Sequence, residues 1–142
     1  MLRWHDRAFA ELTTSELYAI TQLRERVFIV EQNCVYLDAD GADLLSRHLW
    51  ADEAGQIRAY LRIVPAGLKY AELSIGRVII APEARGTGLG KELMIRGIEA
   101  AAAPIRISAQ AHLQRFYGDL GFTAEGEPYD EDGIPHIEMT RR

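Results

Sequence analysis

At 142 residues, with 48% hydrophobic and 26% charged content, the chain is sized and composed for one soluble domain, residues 1–142, with a core of its own. A net charge of −5 argues against nucleic acid as the main partner and is compatible with a cationic substrate. No apolar run reaches the roughly 18 residues of a membrane span, the N-terminus is not signal-like, and the single cysteine, Cys34, excludes an internal disulfide and suits a reducing cytoplasm.

Residues 2–12 mix Trp4, Ala8 and Phe9 with charges and read as an irregular first strand. Thr13 and Glu16 fit a capping box, with Leu12 and Leu17 as a hydrophobic staple. Leu17, Ile20, Leu23, Val27 and Val30 then recur at helical spacing to about residue 31. Asp38, Asp40 and Asp43 follow around Gly41 in a register that fails the calcium loop, which needs acids at the first, third and fifth positions. A solvated turn is the favoured reading of these acids, and an acidic mouth for an acceptor is the other. Residues 48–51 and 57–64 are strands joined through Ala54-Gly55 as a hairpin. A loop from Pro65 to Tyr70 leads to an apolar strand at 73–80, a Gly-rich loop at 82–90 and a helix at 89–102 that Pro104 ends. Further on come a strand at 105–109, a short helix at 113–120, a strand from Gly121-Phe122, a long acidic turn at 128–133 and a closing strand at 134–140. Pro135 is acceptable near a strand start. The order β, α, β, β, β, α, β, α, β, β predicts an α/β fold with a mixed (α+β) sheet and helices on its faces.

The strand, Gly-rich turn and helix start around Arg85–Lys91 together make an anion site. Free N–H groups and the helix dipole favour negative charge there, and Arg85 and Lys91 add full charges. The glycines run G-x-G-x-G (Gly86, Gly88, Gly90), which is not the dinucleotide fingerprint. The phosphate loop of nucleoside triphosphatases needs Gly where Arg85 stands and Ser/Thr where Glu92 stands. The plain alternative is a tight strand–helix connection with no ligand.

Arg85, Gly88 and Gly90 match Arg/Gln-x-x-Gly-x-Gly/Ala, and the preceding residues match Val-x-Pro-Glu-x-Arg-Gly with Ile80 at the valine. QAHLQRFYGDLGF, from Gln110 to Phe122, follows at a family-like distance. In these two motifs the chain resembles the GNAT superfamily of N-acyltransferases. RERVFIVEQNCVY and EDGIPHIEM further resemble its bacterial ElaA-like subgroup. Val35 departs from that subgroup, where proline is expected after the cysteine, and Gln110 stands where many members carry asparagine. The resemblance implies an acyl-CoA N-acyltransferase fold with a splayed central sheet, open between the fourth and fifth strands. It implies acetyl-CoA as co-substrate, held by Val78, Ile79 and Ile80 along the strand and by Arg85, Gly86, Thr87, Gly88, Leu89, Gly90 and Lys91 at the turn. It also implies Tyr117 as the general acid on the departing sulfur and a strand amide near Val78 or Ile79 for the carbonyl oxygen.

A general base must take a proton from the amine before it attacks. Glu31, His48, Glu72 and His136 are the candidates, beside a water relay, and each has a structural alternative as a cap, edge or packed residue. Arg77 is a charge inside an apolar strand; it either pairs with one of these carboxylates or binds a substrate anion. Cys34 has acids nearby that raise a thiol's pKa, so a nucleophilic role is disfavoured. The histidines and cysteine share no metal-ligand spacing, so no metal is expected. The expectation is direct acetyl transfer to a primary amine on a small molecule or peptide, with no nucleic acid or membrane partner; exposed sheet edges are compatible with a homodimer. A non-catalytic acyl-CoA sensor on the same fold, or an interaction domain with a vestigial loop, are the alternatives.

Overall fold

The chain alternates β1 (Arg3–Ala8), α1 (Thr14–Arg24), β2 (Arg47–Glu53), β3 (Gln56–Val64), β4 (Ser74–Ile80), α2 (Leu89–Ala101), β5 (Ile105–Gln110), α3 (Gln114–Gly118), β6 (Thr123–Glu131) and β7 (Ile134–Arg141). This is the order read from the sequence, and the computed structural model describes residues 1–142. The strands form two antiparallel sheets, ordered β1-β2-β3-β4 and β5-β7-β6. The sheets meet through a parallel bridge between Leu73 and Ile105, with the Arg106 N–H donating to Leu73 O at 2.9 Å. Beyond that bridge β4 and β5 run onward without pairing, so the mixed sheet is split into a V.

Strand alternation sends one set of side chains to each face of the first sheet. Leu49, Leu61 and Ile63 pack with Leu93 and Met94 of α2 and with Ile107 and Met139 of the second sheet, in one core. Trp50, Tyr60 and Ile79 pack on the other face with Ile20 and Leu23 of α1. Gly97 lets α2 close on β3: a Cβ there would stand 2.8 Å from Leu61 Cδ2. No helix is long and apolar enough to cross a membrane.

α1 starts as its capping box requires. Glu16 N–H donates to Thr13 Oγ1 at 3.1 Å, and Thr13 N–H donates to the Glu16 carboxylate at 2.9 Å. Past Arg24 the helix widens into a π-helical turn over Glu25–Glu31. Gln32 N–H donates to Val27 O and Cys34 N–H to Ile29 O, both at 3.2 Å and both spanning five residues. That wider turn puts the helical periodicity out of phase. Ile20, Leu23 and Val27 are buried as expected, but Val30 is 74% exposed.

The expected long turn at 128–133 is shorter. β6 continues to Glu131, with a register shift between Glu125 and Tyr129 absorbing Gly126–Pro128, and only Asp132-Gly133 turns the chain. This places Glu131 on a strand, beside the cleft, with its side chain still partly in solvent.

Candidate active site

The V holds a cleft of about 720 Å³. One wall is β4 with the π-helical turn (Val27, Phe28, Glu31), and the other is β5, α3 and the β6–β7 turn with His136.

At its head, β4 leads through a short 3₁₀ turn, Pro82–Ala84, to α2. Gly86 and Gly88 lie in the left-handed region, at φ +78° and +81°. A Cβ at either would meet nothing within 4 Å, so glycine is required here by backbone conformation and not by room. Gly90 lacks that constraint; a Cβ there would rest 3.6 Å from Ile80 Cγ1. No internal hydrogen bond engages the amides from Gly86 to Lys91; the first is Glu92 N–H to Gly88 O. These free donors and the dipole of α2 form an anion cradle. The cradle fits a diphosphate. Of the expected coenzyme residues, Val78, Ile79, Ile80, Arg85 and Gly90 line the cleft. Leu89 buries its side chain in the core, leaving only its amide. The Thr87 hydroxyl closes the turn on Ala84 O at 2.8 Å. Gly88 and Lys91 face a separate groove of about 450 Å³ along α2 with Arg96.

Arg85 holds Glu31 through a two-pronged pair at 2.6 and 2.7 Å. Hydrogen bonds from Arg85 keep the Glu31 carboxyl below its usual range. Glu31 lines the cleft, but a carboxylate so engaged is a weak proton acceptor.

β4 is bulged. Gly76 pairs with Arg62 and Ile79 with Tyr60, so Arg77 and Val78 stand without partners on β3, and Arg77 has φ +51°. These bulged residues line the cleft, and the Arg77 side chain reaches the loop after α1. Its Nε meets Asp38 Oδ1 at 2.8 Å, and its fork also reaches Asp40 at 3.4 Å. Arg77 therefore pairs with none of Glu31, His48, Glu72 or His136, and its fork is not open to a substrate anion. Arg24 binds Asp38 and Asp43 at 2.7 Å, and Arg62, 1% exposed, binds Asp40 and Asp43 at 2.8 and 2.9 Å. The Arg62 guanidinium holds the Asp40 carboxyl well below the carboxylate range. Burial pushes Asp43 up, but Arg24 and Arg62 outweigh it and its pKa is lowered. The three aspartates are thus neither a solvated turn nor an acceptor mouth; arginines neutralise them and pin the loop.

Tyr117 lines the cleft, 7% exposed, edge-on to Phe116 and Phe122. Burial alone pushes its pKa up to about 12, so the phenol is a protonated donor across the neutral range. His48 lies away from the cleft, 1% exposed, with Nδ1 2.7 Å from Tyr60 OH and Nε2 3.0 Å from Asp43 O. Burial pushes its pKa down. Glu72 is also remote, gripped by Arg106 at 3.0 and 3.1 Å and by Arg142 at 3.2 Å. Hydrogen bonds from Arg106 hold its pKa at about 2. Both leave the set of candidate bases, because neither side chain reaches the cleft. His136 does line it. Sequence reasoning missed Glu131, Asp132, Tyr36 and Lys69, which line the cleft with His136. The acid run at 130–132 was the available signal, masked by its resemblance to a solvent turn.

A sheet parted between β4 and β5, with a glycine-rich helix start at the head of the parting, is the architecture of acyl-CoA N-acyltransferases. The chain belongs to the acetyltransferase (GNAT) domain family, whose sequence profile matches residues 29–142. It is 43% identical to the protein ElaA of Escherichia coli (strain K12), over 99% of this chain and 97% of that one. A crystal structure of an acyl-CoA N-acyltransferase from Pseudomonas aeruginosa is 47% identical, with TM-score 0.96 over 100% of both chains. The crystal structure of E. coli ElaA is 42% identical, with TM-score 0.94 over 100% of both chains.

Proposed function

We propose that this GNAT domain transfers an acetyl group from acetyl-CoA to a primary amine, by direct attack with both substrates bound. The observation that carries this reading is the run of unengaged amides from Gly86 to Lys91, which borders, at Arg85 and Gly90, the cleft that also holds the unpartnered Tyr117 phenol. Those amides, with Lys91 beside them, would hold the diphosphate, and Arg85, its fork on Glu31, would reach it by giving up that pair. The open edge of β4 at Val78–Ile80 offers backbone groups to the amides of the pantetheine arm, because β5 has diverged from it. Acetyl-CoA supplies an activated thioester.

Tyr117 donates a proton toward the sulfur that departs. A backbone N–H at the bulged stretch near Val78 would stabilise the carbonyl oxygen as it gains charge. The acceptor is a small-molecule or peptide amine, and the setting is the cytoplasm; nucleic acid and membrane are not part of this reading. Calorimetry with acetyl-CoA and thiol release over an amine library test it. Binding with turnover supports the enzyme. Binding without turnover over the library favours an acyl-CoA sensor, and no binding removes the reading altogether.

A further inference from the structure

We propose that Glu131 and His136 form the acceptor site: a primary ammonium group enters between them, and His136 Nε2 takes its proton. This rests on the acetyltransferase reading for its chemistry, but not for its geometry. His136 is 7% exposed on the cleft wall opposite β4. Its Nδ1 lies 2.7 Å from Ile134 O. A carbonyl oxygen only accepts, so the neutral ring carries its hydrogen on Nδ1 and its lone pair on Nε2. Glu131 Oε2 stands 3.3 Å from that Nε2. In the neutral ring, Nε2 and Glu131 Oε2 are two acceptors facing each other, and a ligand bringing N–H bonds satisfies both.

The surrounding charges select a cation. The two arginines that line the cleft, Arg77 and Arg85, are taken by Asp38 and Glu31. Glu131 and Asp132 have no arginine or lysine within ion-pair distance, and Lys69, on the same cleft, is the one lysine close enough for the Glu131 charge to act on. Cys34 Sγ donates to Asp132 O at 3.5 Å and ties this turn to the pinned loop. The unpartnered phenol of Tyr117, itself 7% exposed, opens on the same cleft.

The reaction balances. One proton of the ammonium goes to His136 Nε2 and on to solvent. The freed nitrogen lone pair bonds to the acyl carbon as the carbon–sulfur bond breaks. The sulfur takes a proton from Tyr117, which the second proton lost by nitrogen replaces. With Ile134 O on Nδ1 and Glu131 on Nε2, the protonated ring has a partner for each N–H. The other ionisable groups around His136 are Tyr129 beside the ring, Asp132 and Cys34 at the turn, and Lys69 and Tyr36, which line the same cleft.

The test uses the full chain. In thiol-release kinetics, His136→Gln is expected to lower kcat by about 10²–10⁴-fold and erase the acid-side limb of the pH profile, with acetyl-CoA Kd unchanged. Glu131→Gln, at a side chain 45% exposed, is expected to raise the amine KM far more than it lowers kcat, and Glu131→Asp to restore part of it. Independently of turnover, the NMR signal of the His136 ring is followed with 1,4-diaminobutane, Nα-acetyl-lysine amide and glucosamine, each without coenzyme. At least one amine is expected to move it in the wild type and not in Glu131→Gln, and 1,4-butanediol is expected to leave it in place. A ring signal that no amine moves overturns the proposal. So does an unchanged kcat and acid limb in His136→Gln. Loss of acetyl-CoA binding in the wild type would remove the acetyltransferase reading while leaving the ring titration to decide this one.

Discussion

Replacing Gly88 with valine separates the two jobs of the Gly-rich turn. Gly88 sits at φ +81° just before α2, and a Cβ there meets open space, so the cost to folding is purely conformational. An L-residue in the left-handed region costs about 1–2 kcal/mol. At roughly 2–4 °C per kcal/mol for a domain near this size, Tm should fall by about 2–8 °C. The effect on ligand binding is larger, because the valine tilts the adjoining amides out of the cradle. A hydrogen bond to a charged group is worth about 1.5–3 kcal/mol, so one lost amide raises the acetyl-CoA Kd about 10- to 100-fold. Gly90→Ala is the control. It has no positive φ and its Cβ makes ordinary contacts, so its folding should be intact or improved. Thermal melts and calorimetry on the two variants give both numbers. An unchanged Kd in Gly88→Val beside the lowered Tm would refute the cradle.

Tyr117→Phe should lower kcat by about 10²–10⁴-fold and leave acetyl-CoA affinity intact, as stopped-assay kinetics and calorimetry would show. Burial raises this phenol from 10.0 to about 12. The unfolded chain therefore loses the proton first, and the wild type gives up stability as pH rises from 10 toward 12; alkaline melts of Tyr117→Phe should show less of that loss. Arg62→Ala takes from Asp40 its 2.8 Å partner and leaves Asp43 to Arg24 alone, and should cost about 3–5 kcal/mol in urea unfolding. Both carboxyls are lowered in the folded state. Their stabilisation is present above the unfolded pKa and fades as pH falls below it, so the same variant should flatten the acid side of the stability profile. Glu72→Gln should leave kcat and its pH profile unmoved, since the carboxylate is locked by Arg106 away from the cleft.

The features legible in the sequence were those written in neighbouring residues. Thr13 with Glu16 gave a cap, Ala54-Gly55 a hairpin, and Arg85 to Lys91 a helix start with spare amides, because each depends on spacing alone. The remainder depends on partners distant in the chain. Arg77 meets Asp38 across 39 positions, and no local pattern announces it. The π-helical turn that exposes Val30 and brings Glu31 to Arg85 breaks the helical period on which the stripe was read. The bulge at Arg77 lay hidden in an apolar run that reads as plain strand. Glu131 reaches His136 only because β6 outlasts its proline, where the sequence favoured an earlier turn.

The two halves of the protein share a single rung of backbone at Leu73 and Ile105. A molecule wedged into the gap beyond it would serve as the strand that neither half supplies, and would lock the leaves at one angle. Occupancy and rigidity are then a single equilibrium. At a free ligand concentration 100 times its Kd the folded state gains about 2.7 kcal/mol, so resistance to heat and to proteases should rise and fall with the supply of the thioester.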